Sequence, residues 1–179
     1  MNGNNWLENY FDHFKKSLLN EEVMAQLTAV RDCFAQVKRN GKKIIIAGNG
    51  GSASIASHAV LDLSNKAGLR AICFNDPGII TCWANDFGYE QWPGRGITLH
   101  ADAGDCAVLI SSSGKSGNMI HAAKVARSKG ATVVTLSGFA ADNPLRKAGD
   151  INLWVASSNY NTVENTHQVW LLAISDWLA

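Results

Sequence analysis

From residue 43 onward, short unbroken apolar runs alternate with amphipathic segments, and this alternation constrains the fold more than any other feature of the chain. The runs are Lys43–Ala47, Arg70–Phe74, the stretch 105–110 (DCAVLI), Thr132–Ser137 and Ile151–Val155. They are rich in Ile, Val and Leu and lack polar alternation, which suits strands covered on both faces. The segments between and after them, 53–66, 78–90, 117–129, 142–148 and 161–178, are predicted as helices. Strands alternating with helices make βαβ units, so the expected class is α/β with a central parallel sheet and helices on both sides.

Two amphipathic helices are predicted ahead of the first strand. Residues 6–20 place Trp6, Tyr10, Phe14 and Leu18 at helical spacing, and residues 21–39 do the same with Val23, Leu27, Val30 and Phe34. Asn40–Gly41 ends the second. The segment 92–104 resists assignment, because Pro93, Gly94 and Gly96 are expected to break a helix there. The last helix is apolar almost all round, with Val163, Val169, Trp170, Leu171, Leu172, Ile174, Trp177 and Leu178. Such a helix is buried or lies at an interface, so a homo-oligomer is expected. At 179 residues the chain is read as one domain, a helical arm over 1–40 followed by an α/β core over 41–179.

The formal net charge of +1 gives no electrostatic case for nucleic acid or an acidic membrane surface as partner. No apolar run approaches the roughly 18 residues that a membrane span needs. Met1–Trp6 holds no cationic segment followed by an apolar one, so a cytoplasmic protein is expected. Cys33, Cys73, Cys82 and Cys106 form no C-x-x-C pair and are expected to be buried reduced thiols.

Two loops carry the chemistry. Gly48-Asn49-Gly50-Gly51-Ser52-Ala53 follows the first strand and opens a helix, so its glycines let the backbone approach a ligand and helix N–H groups face an anion. The spelling also fits G-x-G-x-x-A. That dinucleotide pattern wants an acid about 20 residues on, whereas Asp76 comes 28 positions after Gly48. A purely structural tight turn is the other reading. Ser111-Ser112-Ser113-Gly114-Lys115-Ser116 repeats the strand–loop–helix context with four hydroxyls, more than one helix cap requires. Its Gly-Lys-Ser ending is one glycine short of a P-loop, since the first glycine of that motif falls at Leu109. Phosphate contact is the expectation for this second loop.

In combination and order, GNGGSASIASH (48–58), WANDFGYE (83–90) and SSSGKSGN (111–118) resemble the sugar isomerase (SIS) domain family, with the phosphoheptose isomerases as the most similar branch. The resemblance covers nearly the whole chain and implies a single SIS domain over 1–179 with a flavodoxin-like three-layer sandwich, assembled as a homotetramer. It further implies that Ser111, Ser112, Ser113 and Ser116 hold a sugar phosphate, and that Asn49, Gly50, Gly51, Ser52 and Asp86 line the sugar. The family's zinc and proton-transfer positions fall at His58, Asp62, Glu164 and Leu172. Here the family's Gln has become Glu164, and its second His is Leu172. The resemblance therefore implies zinc held by His58, Asp62 and Glu164, an incomplete set, with proton transfer by Glu164, Asp62 or His167. His167 lies three residues after Glu164, while His13, His100 and His121 show no constellation.

The implied activity is aldose–ketose isomerisation of a sugar phosphate such as sedoheptulose 7-phosphate, through an enediol. Leu172 in place of a His motivates a second reading, a non-catalytic sugar-phosphate-binding partner protein. A nucleotide-dependent oxidoreductase is the third.

Overall fold

Five strands form one all-parallel sheet in the order β2-β1-β3-β4-β5. The computed structural model describes residues 3–179. In chain order the elements are α1 (Gly3–Leu18), α2 (Glu21–Arg39), β1 (Lys43–Gly48), α3 (Gly51–Asn65), β2 (Arg70–Cys73), α4 (Pro77–Phe87), α5 (Trp92–His100), β3 (Cys106–Ser111), α6 (Gly117–Ser128), β4 (Thr132–Ser137), α7 (Pro144–Ala148), β5 (Ile151–Trp154) and α8 (Tyr160–Leu178). This is the doubly wound order 2-1-3-4-5, the flavodoxin-like arrangement that the resemblance implied.

The central strands are buried on both faces, and their side chains divide by parity. Ile44 and Ile46 of β1, with Cys106, Val108 and Ile110 of β3, join a core capped by α2, α3 and α8. Ile45, Ala47, Ala107 and Leu109 join the opposite core, with Trp92 and Ile97 of α5 and Met119, Ala122, Ala123 and Ala126 of α6. Small alanines on α6 let that helix sit close to the sheet. The near end of the sheet is pinned by Asp105, whose buried carboxylate accepts from the backbone N–H of Lys43 (3.0 Å) and of Asp102 (2.7 Å) and pairs with Lys43 Nζ at 2.7 Å.

The predicted helices and strands stand within a few residues of their expected places, with one exception. Residues 92–100 are a helix, not a break. Pro93 falls in the first turn, where a missing N–H costs nothing and a fixed φ favours the helix. Gly94 and Gly96 serve close packing: a Cβ on Gly94 would stand 2.8 Å from His121 Nε2, and one on Gly96 would run into the Phe74 ring. Two glycines cost helix propensity, and the packing of α5 against α6 and the sheet outweighs it.

The leading helices dock on the last one. Trp170 Nε1 donates to Leu18 O at 2.8 Å, and α2 buries Val23, Val30, Phe34 and Val37. Asn20 caps α2, its side chain accepting from the Val23 N–H at 2.9 Å. The last helix is less uniformly covered than its composition implies. It buries Val163, Trp170, Leu171 and Ile174, but Val169 and Trp177 remain 42% and 56% exposed. The cysteines depart further from expectation: Cys106 is buried, Cys33 and Cys73 are half-buried and Cys82 is exposed, all four as free thiols.

Candidate active site

Strands β1 and β3 are neighbours at the point where the strand order reverses, and Gly48 is paired with Ile110. Their C-terminal ends therefore deliver the two sequence loops side by side. Crevices of this kind, outside the carboxyl ends of the strands at the switch point, are where doubly wound sheets bind ligands.

The first loop turns because Gly50 adopts φ 53°, outside the range comfortable for a side chain. It is held from the other side by a reciprocal amide pair. Asn49 Nδ2 donates to Asn118 Oδ1 at 3.0 Å, and Asn118 Nδ2 donates back to Asn49 Oδ1 at 2.9 Å. Tyr89 Oη adds a third bond to Asn49 Oδ1 at 3.1 Å. Asn118 is buried in the first turn of α6, so this pair fixes the first loop relative to the second.

The second loop does not spend its serines on capping. Ser116 stands at the N-cap of α6, but its side chain makes no bond to the helix; its Oγ lies 2.9 Å from Ser111 Oγ instead. That leaves the first amides of α6 pointing out of the helix end, as an anion requires. Gly114 turns the loop at φ +66°, and its N–H donates to Ser111 O at 2.9 Å.

Between the loops lies a cavity of about 170 Å³ lined by Asn49, Ser52, Ile110, Ser111, Ser112, Ser113, Ser116, Tyr160 and Glu164. Glu164 faces it from α8, and Ser112 Oγ donates to Glu164 Oε1 at 3.0 Å. The carboxylate also presses on the start of α3: a Cβ on Gly51 would stand 2.9 Å from Glu164 Cδ. Six of the residues expected to hold phosphate or line the sugar thus line one cavity with the expected carboxylate. No lysine or arginine is among its lining residues, Lys115 included.

Other expected residues lie elsewhere. Asp86 is exposed near the end of α4, where Asn85 Nδ2 donates to it at 3.0 Å and Cys82 Sγ lies 3.6 Å away. His58 and Asp62 share one face of α3 with Nε2 and Oδ2 4.0 Å apart. Asp62 is tied to Lys66 Nζ at 2.9 Å, and His58 Nδ1 lies 3.1 Å from Gln168 Nε2. Among the described residues, no three His, Cys, Asp or Glu side chains are grouped so as to hold a metal ion. Within one chain, His58, Asp62 and Glu164 do not fit a zinc ion, because Asp62 is engaged by a lysine and Glu164 by Ser112.

His167 is fully buried. Its Nε2 lies 3.2 Å from Ser137 O, so the tautomer with Nε2–H donates to that carbonyl, and Nδ1 is left buried without a partner. Burial pushes its pKa down to about 4, against the smaller opposing effect of the Ser137 bond. A neutral imidazole under the end of β4 holds α8 to the sheet and does not reach the cavity.

Two residues at the site were not anticipated. Asn118 belonged to a recognised motif, but only its pairing with Asn49 shows its use. Tyr160 lines the cavity with its ring centroid 4.9 Å from that of Phe139. Phe139 has a φ of 58°, the sole non-glycine residue with positive φ among the described residues. Strain of this kind concentrates at functional sites, and Phe139 packs against the cavity-lining Tyr160. Nothing in the local sequence flags either aromatic beyond the adjacent N-cap Asn159.

Strand order, switch-point crevice and paired glycine and serine loops define a doubly wound α/β protein with a small-molecule site. The sequence pattern of the SIS domain family matches residues 9–138. The chain is 36% identical to the phosphoheptose isomerase of Aliarcobacter butzleri (strain RM4018) over 153 residues, 82% of this chain and 80% of the relative. Identity to the phosphoheptose isomerase of Fusobacterium nucleatum subsp. nucleatum is 35% over 133 residues, 72% of this chain and 69% of that one. Among solved structures, phosphoheptose isomerase GmhA from Neisseria gonorrhoeae superposes with a TM-score of 0.90 at 23% identity over the full length of both chains. A phosphoheptose isomerase from Francisella tularensis gives 0.89 at 25% identity, covering 99% of this chain and 98% of that one. The chain belongs to the SIS domain family, in its phosphoheptose isomerase branch.

Proposed function

We propose that this chain is an aldose–ketose isomerase acting on a phosphorylated sugar, sedoheptulose 7-phosphate or a sugar of similar size. The observation that carries the reading is the Ser112–Glu164 contact: a carboxylate stands in the same cavity as a four-serine cradle at a helix start. The names of the relatives at 35–36% identity support the substrate class. A binding partner without catalysis needs the cradle but has no use for the carboxylate.

In this reading Ser111, Ser113, Ser116 and the first amides of α6 hold the phosphate, fixing one end of the sugar, while the single O–H of Ser112 stays on Glu164. Asn49, Ser52 and Tyr160 wall the chain of hydroxyls. Glu164 takes the proton from the carbon next to the carbonyl; the C–H electron pair becomes a C=C bond as the C=O π pair moves onto the carbonyl oxygen, giving an enediolate. Passage of the neighbouring hydroxyl's proton to that oxygen makes the other oxygen the anion, and as its electron pair re-forms a C=O bond the C=C pair takes the proton back from Glu164 at the former carbonyl carbon, completing the isomerisation. The Ser112 hydroxyl orients the carboxylate. Neither His167, buried and neutral, nor Asp62, tied to Lys66, is given the proton-transfer role.

One SIS domain spans 1–179, with the arm at 1–40 docked through α1 and α8; residues 1 and 2 lie outside the described residues. A homo-oligomer, the tetramer of the resemblance, is supported by the exposed Trp6, Phe11, Val169 and Trp177 on α1 and α8. A cytoplasmic location is supported by the four free thiols. Zinc content of freshly purified protein tests the metal expectation: near one ion per chain, lost in His58→Ala, means that the donors converge in the assembled protein. The activity itself is tested by Glu164→Gln, for which wild-type turnover on the true substrate would contradict the assigned role.

A further inference from the structure

A second pocket opens between α5 and α6, away from the serine loops. It has a volume of about 280 Å³ and is lined by Phe87, Gln91, Gly94, Arg95, Thr98 and His121, with none of these in the first cavity. That size is near the lower end of the range for small-ligand sites.

Its one arginine, Arg95, is in no ion pair among the described residues. The Arg95 guanidinium carbon lies 4.8 Å above the Phe87 ring, so the planar group is held by stacking. Its Nε is buried without a hydrogen bond. Among the described residues the arginine ion pairs are those of Arg31, Arg127 and Arg146, and Arg95 takes part in none. A buried unpaired N–H of this sort is costly, and the terminal nitrogens of the guanidinium are the donors left for a ligand.

His121 is set beside it by Gly94, whose missing Cβ gives the imidazole its place. No carboxylate is among the lining residues. Glu90 is packed against Gly117, a turn earlier on α6. Further along α6, Lys124 and Arg127 line a neighbouring groove with Lys147; Arg127 is paired with Asp150 and Lys147 with Asp142. The Arg95 fork offers the parallel donors that phosphoryl oxygens accept.

We propose that this pocket is a second anion site that binds a phosphoryl group, free or carried on a small metabolite, through Arg95 and His121. The inference stands apart from the isomerase reading, since it uses no residue of the serine cavity. It has a route to that cavity, however: His121 is one turn of α6 beyond Asn118, so an occupant bears on the helix that fixes Asn49.

Inorganic phosphate binding to the full-length protein, measured by equilibrium dialysis, tests it. The expected result is two sites per chain in the wild type, with Arg95→Gln weakening one of them tenfold or more and Ser116→Ala weakening only the other. His121→Gln is measured alongside, so the test survives if Arg95→Gln does not fold. A crystal soak with tungstate, a phosphate-shaped anion of strong anomalous signal, should give a peak between Arg95 and His121. Displacement of phosphate from this site by a sugar phosphate marks a metabolite as the occupant; displacement from the serine site alone marks free phosphate. Single-site binding in solution overturns the proposal, and a tungstate peak in that case is an adventitious ion only. Binding unchanged in both variants also overturns it.

Discussion

Ser112 Oγ donates a 3.0 Å hydrogen bond to Glu164 Oε1, joining two residues 52 positions apart across the mouth of the sheet. One is a hydroxyl of the cradle after β3, the other an acid on the last helix. The bond makes the grip on the substrate and the position of the base a single arrangement, and it leads directly to the first prediction.

Ser112→Ala removes the donor that orients Glu164. A hydrogen bond to a charged group contributes about 1.5–3 kcal/mol, so kcat/KM should fall about 10- to 100-fold. Steady-state kinetics checks this, with circular dichroism showing the fold retained.

Glu164→Ala deletes the base and leaves the serines in place. Turnover should fall by about 10²- to 10⁴-fold, the usual share of general acid–base catalysis, while sugar-phosphate binding persists. Turnover assays paired with calorimetric titration of substrate separate the two effects.

Gly114→Ala should be strongly destabilising. The residue sits at φ +66°, and a Cβ there would run into the side chain of Asn143, which is buried and caps α7. Strain and displaced packing together should cost about 2–4 kcal/mol, read as a lower midpoint in denaturant unfolding.

His167 should make stability fall in acid. Its folded pKa of about 4 lies below the ordinary histidine value of about 6.5, because burial opposes the charged form. The unfolded chain therefore binds the proton more readily. The contribution is full above pH ~6.5 and is lost as the pH falls from there through about 4, up to about 3 kcal/mol in all. Urea unfolding at a series of pH values should show this slope, and His167→Gln, which keeps an N–H for Ser137 O but takes up no proton, should flatten it.

Much of this site was legible in sequence because both loops sit where strands hand over to helices. Ser111–Ser116 and Asn49–Ser52 needed only the order of elements to be placed, and parallel pairing of β1 with β3 then brought them together. The helix at Trp92–His100 was not legible. Pro93 and two glycines read as breakers, and only the neighbouring His121 and Phe74 show that the glycines make room for packing. Tyr160 packs on Phe139, 21 positions earlier in the chain, a tertiary contact with no sequence signal. The rotation of α8 decides that Glu164 faces the cavity while His167, three residues on, faces the sheet. A spacing of three residues does not separate them; the bond of His167 to Ser137 and that of Glu164 to Ser112 do.

The most direct test of the central claim is a turnover assay of the purified full-length chain on sedoheptulose 7-phosphate, following formation of the aldose. The proposed function predicts isomerisation in the wild type, reduced by Ser112→Ala and abolished or nearly so by Glu164→Ala. Equal rates in the wild type and Glu164→Ala, or tight binding of the sugar phosphate with no conversion across heptose and hexose phosphates, would contradict it.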